Sequence, residues 1–424
     1  MSSGGAGVDT ETVLWREQKP PGDAGNGVAA RRPGGEPAYP PPAHGINSVA
    51  LISTEEIANH RGRLIQDIVA TGCRVLAFAP YREDIPAAIA AAGAEFHETP
   101  MDRVALNPVT AAREVMSLAQ RLRQEHVNLV FTAGTKPNLV GTLAAVRAGV
   151  PARYAMIAGL GYAYTPGKEI RRHVTRGAMS LLMRRVYRQC NALFVQNEDD
   201  LRFVREAGWC RPNQPVIRTY GSGVDLEHFR NMPLPVGPLR VLLMSRLLRE
   251  KGIWEFVEAA RIVRGRHPGV RFQLLGRTDT NPGSISSREL AQWQAEGIVD
   301  YLGATYDVRP YLRDCSVFVL PSYYREGVPR TILEAMATGR PIITTDTPGC
   351  RDTVVDGVNG FLIPPRDPQA LATAIERLIA APQLSATLAR ESRRLAEEKF
   401  DVRSVSANII GAMGLSDARS GHCR

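Results

Sequence analysis

No two of the six cysteines, Cys73, Cys190, Cys210, Cys315, Cys350 and Cys423, form a C-x-x-C pair or a metal-ligand spacing, which argues against a disulfide framework and a structural zinc site. Lysine is scarce as well. The 52 basic residues are nearly all arginine, with lysine only at Lys19, Lys136, Lys168, Lys251 and Lys399, so each retained lysine invites a question. No apolar run approaches the roughly 20 residues a membrane helix needs, and no basic-then-apolar secretory leader opens the chain. The expectation is a cytoplasmic protein whose membrane contact, if any, is peripheral. A G-x-G-x-x-G opening a helix after a first strand is missing, which weakens any reading as a hydride-transfer enzyme. No convincing D-x-D is found either. Glu198-Asp199-Asp200 falls where a helix is expected to begin and reads as capping charge, so no metal site and no cofactor are assigned.

What is present is length and apolar content. With 424 residues, 44% of them hydrophobic, the chain exceeds what one core usually supports and predicts two domains. The formal charge of +9 points to an anionic partner without choosing among nucleic acid, lipid surface and phosphorylated substrate. Nucleic acid has only the charge behind it and is not assigned. Residues 1–45 are rich in Gly, Pro, Ala and charge and predict a disordered tail. From Val49 on, apolar runs at 49–52, 74–78, 129–132, 153–157 and 192–195 alternate with helical stretches, the pattern of a parallel sheet covered on both faces. After a Gly- and Pro-rich linker a second alternation follows, at 239–244, 270–275, 299–302, 317–320, 341–345 and 360–363. The expected organisation is an α/β chain of two doubly wound, Rossmann-like domains, 46–222 and 239–395, joined by a linker at 223–238. A helix at 396–415 is expected to pack back on the first domain, ahead of a frayed end at 416–424.

In such sheets a ligand binds beyond the carboxyl ends of the strands. After the first strand of the second domain comes Ser245-Arg246-Leu247-Leu248-Arg249-Glu250-Lys251-Gly252, then a helix from about Ile253. A diphosphate there would meet Arg246, Lys251 and the helix's free N–H groups, although the same residues would also suit a solvated basic loop. After the fourth strand, Glu326 precedes a helix begun near Pro329, and Glu334 lies on that helix. Two carboxylates so spaced can serve two parts of one ligand, or can be a cap and an exposed helical glutamate. Gly276 and Arg277 follow the second strand of the same domain.

Glu326 and Glu334 as E-x(7)-E, with Arg246 and Lys251 upstream, resemble the retaining glycosyltransferases of family 4, which have the GT-B fold with a deep interdomain cleft. In the first half, His60-Arg61, Arg63-Leu64, Thr135-Lys136-Pro137-Asn138-Leu139, Gly159-Leu160-Gly161-Tyr162 and Gly221 to Asp225 are similar to a bacterial subgroup of N-acetylgalactosaminyltransferases acting on undecaprenyl-diphosphate-linked sugars. The resemblance covers 47–411. It implies a UDP-sugar donor, a lipid-linked or saccharide acceptor, retention at the anomeric carbon and no metal. Glu326, Arg246 and Lys251 would be catalytic. The donor would meet Arg246, Lys251, Gly276, Arg277, Gly327, Val328, Pro329, Thr331 and Glu334, and the acceptor side His60, Lys136, Asn138, Gly159 and Gly161. Many relatives carry a glycine-rich loop and a histidine where this chain has Ser53-Thr54-Glu55-Glu56 and Ala158-Gly159, so acceptor contacts do not transfer directly. The basic and apolar stretch from Lys168 to Arg188 would suit an anionic bilayer or an ordinary packed helix. The competing readings are a nonhydrolysing sugar-nucleotide epimerase and a non-catalytic sugar-nucleotide-binding subunit of a polysaccharide assembly complex.

Overall fold

The computed structural model describes residues 45–100, 108–161, 164, 170–278 and 283–415. The expected tail through residue 44, Tyr162, Lys168 and the frayed end from 416 lie outside the described residues. Among the described residues, every paired strand is parallel.

The N-terminal lobe contains β1 (Ser48–Ile52), β2 (Arg74–Ala79), β3 (Glu95–Glu98), β4 (Leu129–Ala133), β5 (Ala152–Ile157), β6 (Ala192–Val195) and β7 (Val216–Arg218). They lie in the order β3-β2-β1-β4-β5-β6-β7, the order produced when a chain winds first one way and then the other from its first strand. The helices between them are α1 (Ile57–Ala70), α2 (Asp84–Ala91), α3 (Pro108–Gln124), α4 (Thr135–Ala148), α5 (Ile170–Tyr187) and α6 (Glu198–Glu206). Alternation along β1 shows why both faces are covered. Val49 and Leu51 join a core with Leu64, Ile65 and Ile68 of α1, while Ala50 and Ile52 join one with Val140 and Ala144 of α4.

The C-terminal lobe repeats the plan with β8 (Arg240–Met244), β9 (Arg271–Leu275), β10 (Asp300–Tyr301), β11 (Val317–Leu320), β12 (Ile342–Thr345) and β13 (Gly360–Ile363), ordered β10-β9-β8-β11-β12-β13. Its helices are α7 (Ile253–Arg266), α8 (Ser287–Ala295), α9 (Arg309–Asp314), α10 (Arg330–Ala337), α11 (Pro368–Ala380) and α12 (Pro382–Lys399). A last helix, α13 (Val402–Ala412), returns to the N-terminal lobe, where Val405, Ile409 and Met413 share the α1 core.

The strands expected from the apolar runs are present, with ends shifted by a residue or two. Two edge strands, β3 and β7, are additions. Both are short and carry charge, as edges exposed to solvent do, and so lack an apolar run to announce them. The winding reverses between β1 and β4 and between β8 and β11, and the candidate site is built from the loops leaving β8 and β11 and those leaving β5 and β6 of the other lobe.

Candidate functional site

The loop after β8 closes in a 3-10 turn, Arg249–Lys251, ended by Gly252 at φ +76°. A Cβ on Gly252 would overlap the Pro321 carbonyl oxygen, so only glycine lets this loop lie against the loop after β11. That approach brings the two charged motifs together. Lys251 Nζ lies 2.5 Å from Glu326 Oε1, and the Ser322 hydroxyl donates to the same oxygen at 2.8 Å. Lys251 also sits 5.4 Å from the Tyr324 ring centre. Both members of the ion pair are largely buried, where a charge-assisted contact is strong and an arriving anion competes directly for the lysine. Arg246 is half-buried on the same loop. Gly276 donates its N–H to Gly303 at 2.8 Å, tying the loops after β9 and β10 to this end of the sheet.

Pro329 caps α10, placing Thr331 in the first turn and Glu334 one turn on. Glu334 is buried and accepts from Arg330 Nε at 2.8 Å. Burial pushes its carboxyl upward and Arg330 pulls it back.

The N-terminal lobe closes over these residues. Gly159 and Gly161, at φ +98° and +70°, form the loop after β5. A Cβ on Gly159 would overlap the Gly327 amide nitrogen, and Gly161 N–H donates to the Arg325 carbonyl at 3.1 Å. Next to this loop, Gln196 Oε1 accepts from the Val328 amide at 2.9 Å, and Asn197 Nδ2 donates to the carbonyls of Glu326 and Gly327 at 3.2 and 3.1 Å. The Val328 amide, expected to face the donor, is therefore held by the opposite lobe.

Four ion pairs frame the contact: Asp200–Arg325 at 3.2 Å, Asp199–Arg351 at 3.1 Å, Arg218–Asp352 at 2.9 Å and Glu56–Arg277 at 3.4 Å. Arg277, expected at the donor, thus bridges to α1. The acidic triplet serves four different arginines, since Glu198 meets Arg218 at 3.4 Å and Asp199 also meets Arg202 at 3.0 Å. Among the described residues, no group of three His, Cys, Asp or Glu side chains is placed to hold a metal ion.

Of the residues expected on the acceptor side, Asn138, Gly159 and Gly161 line one cavity, whereas Lys136 and His60 are not among its lining residues. Lys136 is buried against Glu114 at 3.0 Å. Asn138 is 1% exposed, its amide donating to the Met156 carbonyl at 2.9 Å and the Tyr187 hydroxyl at 3.1 Å while its oxygen accepts from Thr132 at 2.7 Å. Every polar atom of that side chain is thereby committed to the interior. His60 is exposed on α1, and the buried residue beside it is Arg61. A cavity of about 200 Å³ opens between Gly159, Gly161 and Tyr324 on one side and Tyr187 and Trp209 on the other. Gln196 and Asn197 were missed from the sequence. The available signal was two polar residues ending the apolar run of β6 immediately before an acidic helix start.

Residues 56–221 match the model of the Glycosyl transferase 4-like domain, and residues 238–381 that of Glycosyl transferases group 1. Among curated proteins, the chain is 29% identical over 322 residues to N,N'-diacetylbacillosaminyl-diphospho-undecaprenol alpha-1,3-N-acetylgalactosaminyltransferase of Campylobacter jejuni, covering 73% of this chain and 81% of that one. Among solved structures, HepE of Anabaena in complex with UDP-glucose superposes with a TM-score of 0.69 at 19% identity, over 86% of this chain and 99% of that one. Sucrose-phosphate synthase of Thermosynechococcus elongatus gives 0.71 at 20%, over 86% and 97%. These superpositions identify the two lobes as a GT-B fold.

Proposed function

Because the chain is a GT-B glycosyltransferase related to the glycosyl transferase 4-like family, we propose that it moves a hexosyl or N-acetylhexosaminyl unit from a UDP-sugar to a sugar carried on a polyprenyl diphosphate. Retention at the anomeric carbon and independence of divalent metal are part of the same reading. The observation that carries it is the Lys251–Glu326 pair, braced by Ser322, at the strand ends of the C-terminal lobe and roofed by the Gly159 loop of the other. The Campylobacter relative supports the acceptor class through its name.

In this reading UDP lies along the loops after β8 and β11. As the bond from the anomeric carbon to the β-phosphate oxygen breaks, negative charge grows on the diphosphate. Arg246, Lys251 and the start of α7 stabilise it, filling the part a metal plays elsewhere. Glu326, relieved of Lys251 by the incoming phosphate, faces the sugar, and Glu334 accepts from the ribose hydroxyls. The acceptor hydroxyl attacks from the side of the departing phosphate, which takes its proton. The new bond therefore forms on the face from which UDP leaves. Peripheral membrane contact accompanies a lipid-linked acceptor. On α5, Leu181 and Leu182 are 60% and 39% exposed beside exposed Arg176, Arg184 and Arg185, as a helix resting on an anionic bilayer requires.

The test is mass spectrometry and anomeric NMR of products from a panel of UDP-sugars with lipid-linked acceptors, in excess chelator. An α-linked product from an α-linked donor, undiminished by the chelator, is expected. Release of an altered free sugar without acceptor would establish the epimerase reading instead, and turnover restored only by magnesium would end the metal-free mechanism.

A further inference from the structure

Arg61 lies on α1 and is 5% exposed. Among the described residues its one hydrogen-bond contact is Nη2 to the thioether of Met156 at 2.7 Å. Among the described residues no carboxylate pairs with it. A thioether is a weak acceptor and carries no charge to offset a guanidinium. The charge acting on Arg61 from the other lobe has the same sign: burial first, and then Arg330, lower its pKa to about 10. Arg330 in turn holds Glu334 at 2.8 Å. An uncompensated buried cation is expensive. A fold with a ligand of opposite charge has a reason to keep one.

The surroundings locate that ligand. Met156 Sδ is also approached by Gln196 Nε2 at 3.7 Å, and Gln196 Oε1 holds the Val328 amide, so Arg61 sits behind the contact that joins the lobes. Five residues before it, Glu56 reaches Arg277 on the loop after β9. A chain of contacts, Arg61 to Met156 to Gln196 to Val328, thus leads from α1 to the residue just ahead of Pro329 and α10.

We propose that Arg61 is an anion-binding residue of the closed cleft, taking a phosphate oxygen of a substrate between its guanidinium and that of Arg330. The inference rests on the glycosyltransferase reading above and adds a residue and a ligand chemistry to it. Two sources supply that oxygen: the diphosphate of the donor and that of a prenyl-linked acceptor. In either case the anion links α1 to α10, so its binding favours closure of the lobes.

The experiment uses the full chain, Arg61→Met, Arg61→Lys as the charge-keeping control, and thermal shift titrations with inorganic diphosphate, UDP and farnesyl diphosphate. Without ligand, Arg61→Met is expected to melt no lower than the native chain, since an unpaired buried charge has been replaced by an apolar side chain of similar length. Its affinity for at least one ligand is expected to fall roughly tenfold or more, with partial recovery in Arg61→Lys. Loss in the UDP arm assigns the contact to the donor. Loss for farnesyl diphosphate with UDP unchanged assigns it to the acceptor. Affinities within about twofold of native for all three ligands would overturn the proposal, whatever the melting temperature. If Arg61→Met does not fold, the same criteria apply to Arg61→Gln, which removes the charge and keeps a polar head. A native chain that ignores UDP would defeat the donor assignment while leaving the inorganic diphosphate arm to judge Arg61.

Discussion

At the residue scale Lys251 and Glu326 neutralise one another, and in the proposed function an arriving phosphate takes the lysine. Removing either leaves the other buried without its partner, so the two variants separate binding from chemistry. Lys251→Ala is expected to weaken UDP binding by roughly tenfold to a hundredfold, the value of a charge-assisted hydrogen bond, as read by calorimetry. Glu326→Gln keeps the shape and the Ser322 contact. Its kcat is expected to fall by about a hundredfold or more while the donor KM moves little, because the carboxylate acts on the sugar as charge develops. A similar argument applies to Gly159, whose missing Cβ admits the Gly327 amide. Gly159→Ala is expected to leave UDP bound by the C-terminal lobe but to cut kcat/KM by roughly a hundredfold, since the lobes can no longer meet in register. Unchanged turnover in that variant would mean the contact is dispensable.

At the scale of elements, the start of α6 works as a latch. Asn197 caps the helix through the Asp200 amide at 2.8 Å and binds the loop of the other lobe, while Asp199 and Asp200 meet Arg351 and Arg325. Burial pushes the Asp200 carboxyl up to about 6 from the ordinary 3.8, against the pull of Arg325 and Asn197 and with a small push from Asp199. The folded chain therefore binds this proton more tightly than the unfolded chain. This group's contribution to stability is fully present below about pH 4 and is lost as pH rises through about 6. The melting temperature of the native chain is therefore expected to fall, relative to Asp200→Asn whose carboxamide does not titrate, as pH rises from about 4 through about 6, and a parallel course of the two chains over that range would mean that Asp200 does not carry the effect.

At the scale of the molecule the chain passes between the lobes twice, and the two crossings are stitched together. Val224 donates to the Phe400 carbonyl at 2.7 Å, and Val402 donates back to Val224 at 3.1 Å. The second crossing delivers α13 to the N-terminal lobe, so the stability of the first half depends on the last residues of the described chain. Ile409→Ala is expected to cost about 2–5 kcal/mol, the usual range for emptying a well-packed core position. That loss should appear as a lower melting temperature for the N-terminal lobe, and under the proposed function UDP-dependent stabilisation of the C-terminal lobe should be retained.

The order of strands and helices was legible in the sequence because apolar runs and Gly/Pro breaks are local signals. So was the placement of Arg246, Lys251, Glu326 and Glu334 near strand ends, since a residue's distance from the end of an apolar run is also local. Tertiary structure alone decided the rest. Lys136 and Asn138 occupy a promising position after β4, yet neighbours distant in sequence, Glu114 for one and Met156 and Tyr187 for the other, claim them. Arg61 and His60 are adjacent in the chain, but the turn of a helix buries one and exposes the other. Gln196 and Asn197 became interlobe contacts only because the loop ending in Val328 arrives from more than a hundred residues away. Periodicity determines which side chains can be buried. What they meet there is set by contacts between parts of the chain that no local pattern records.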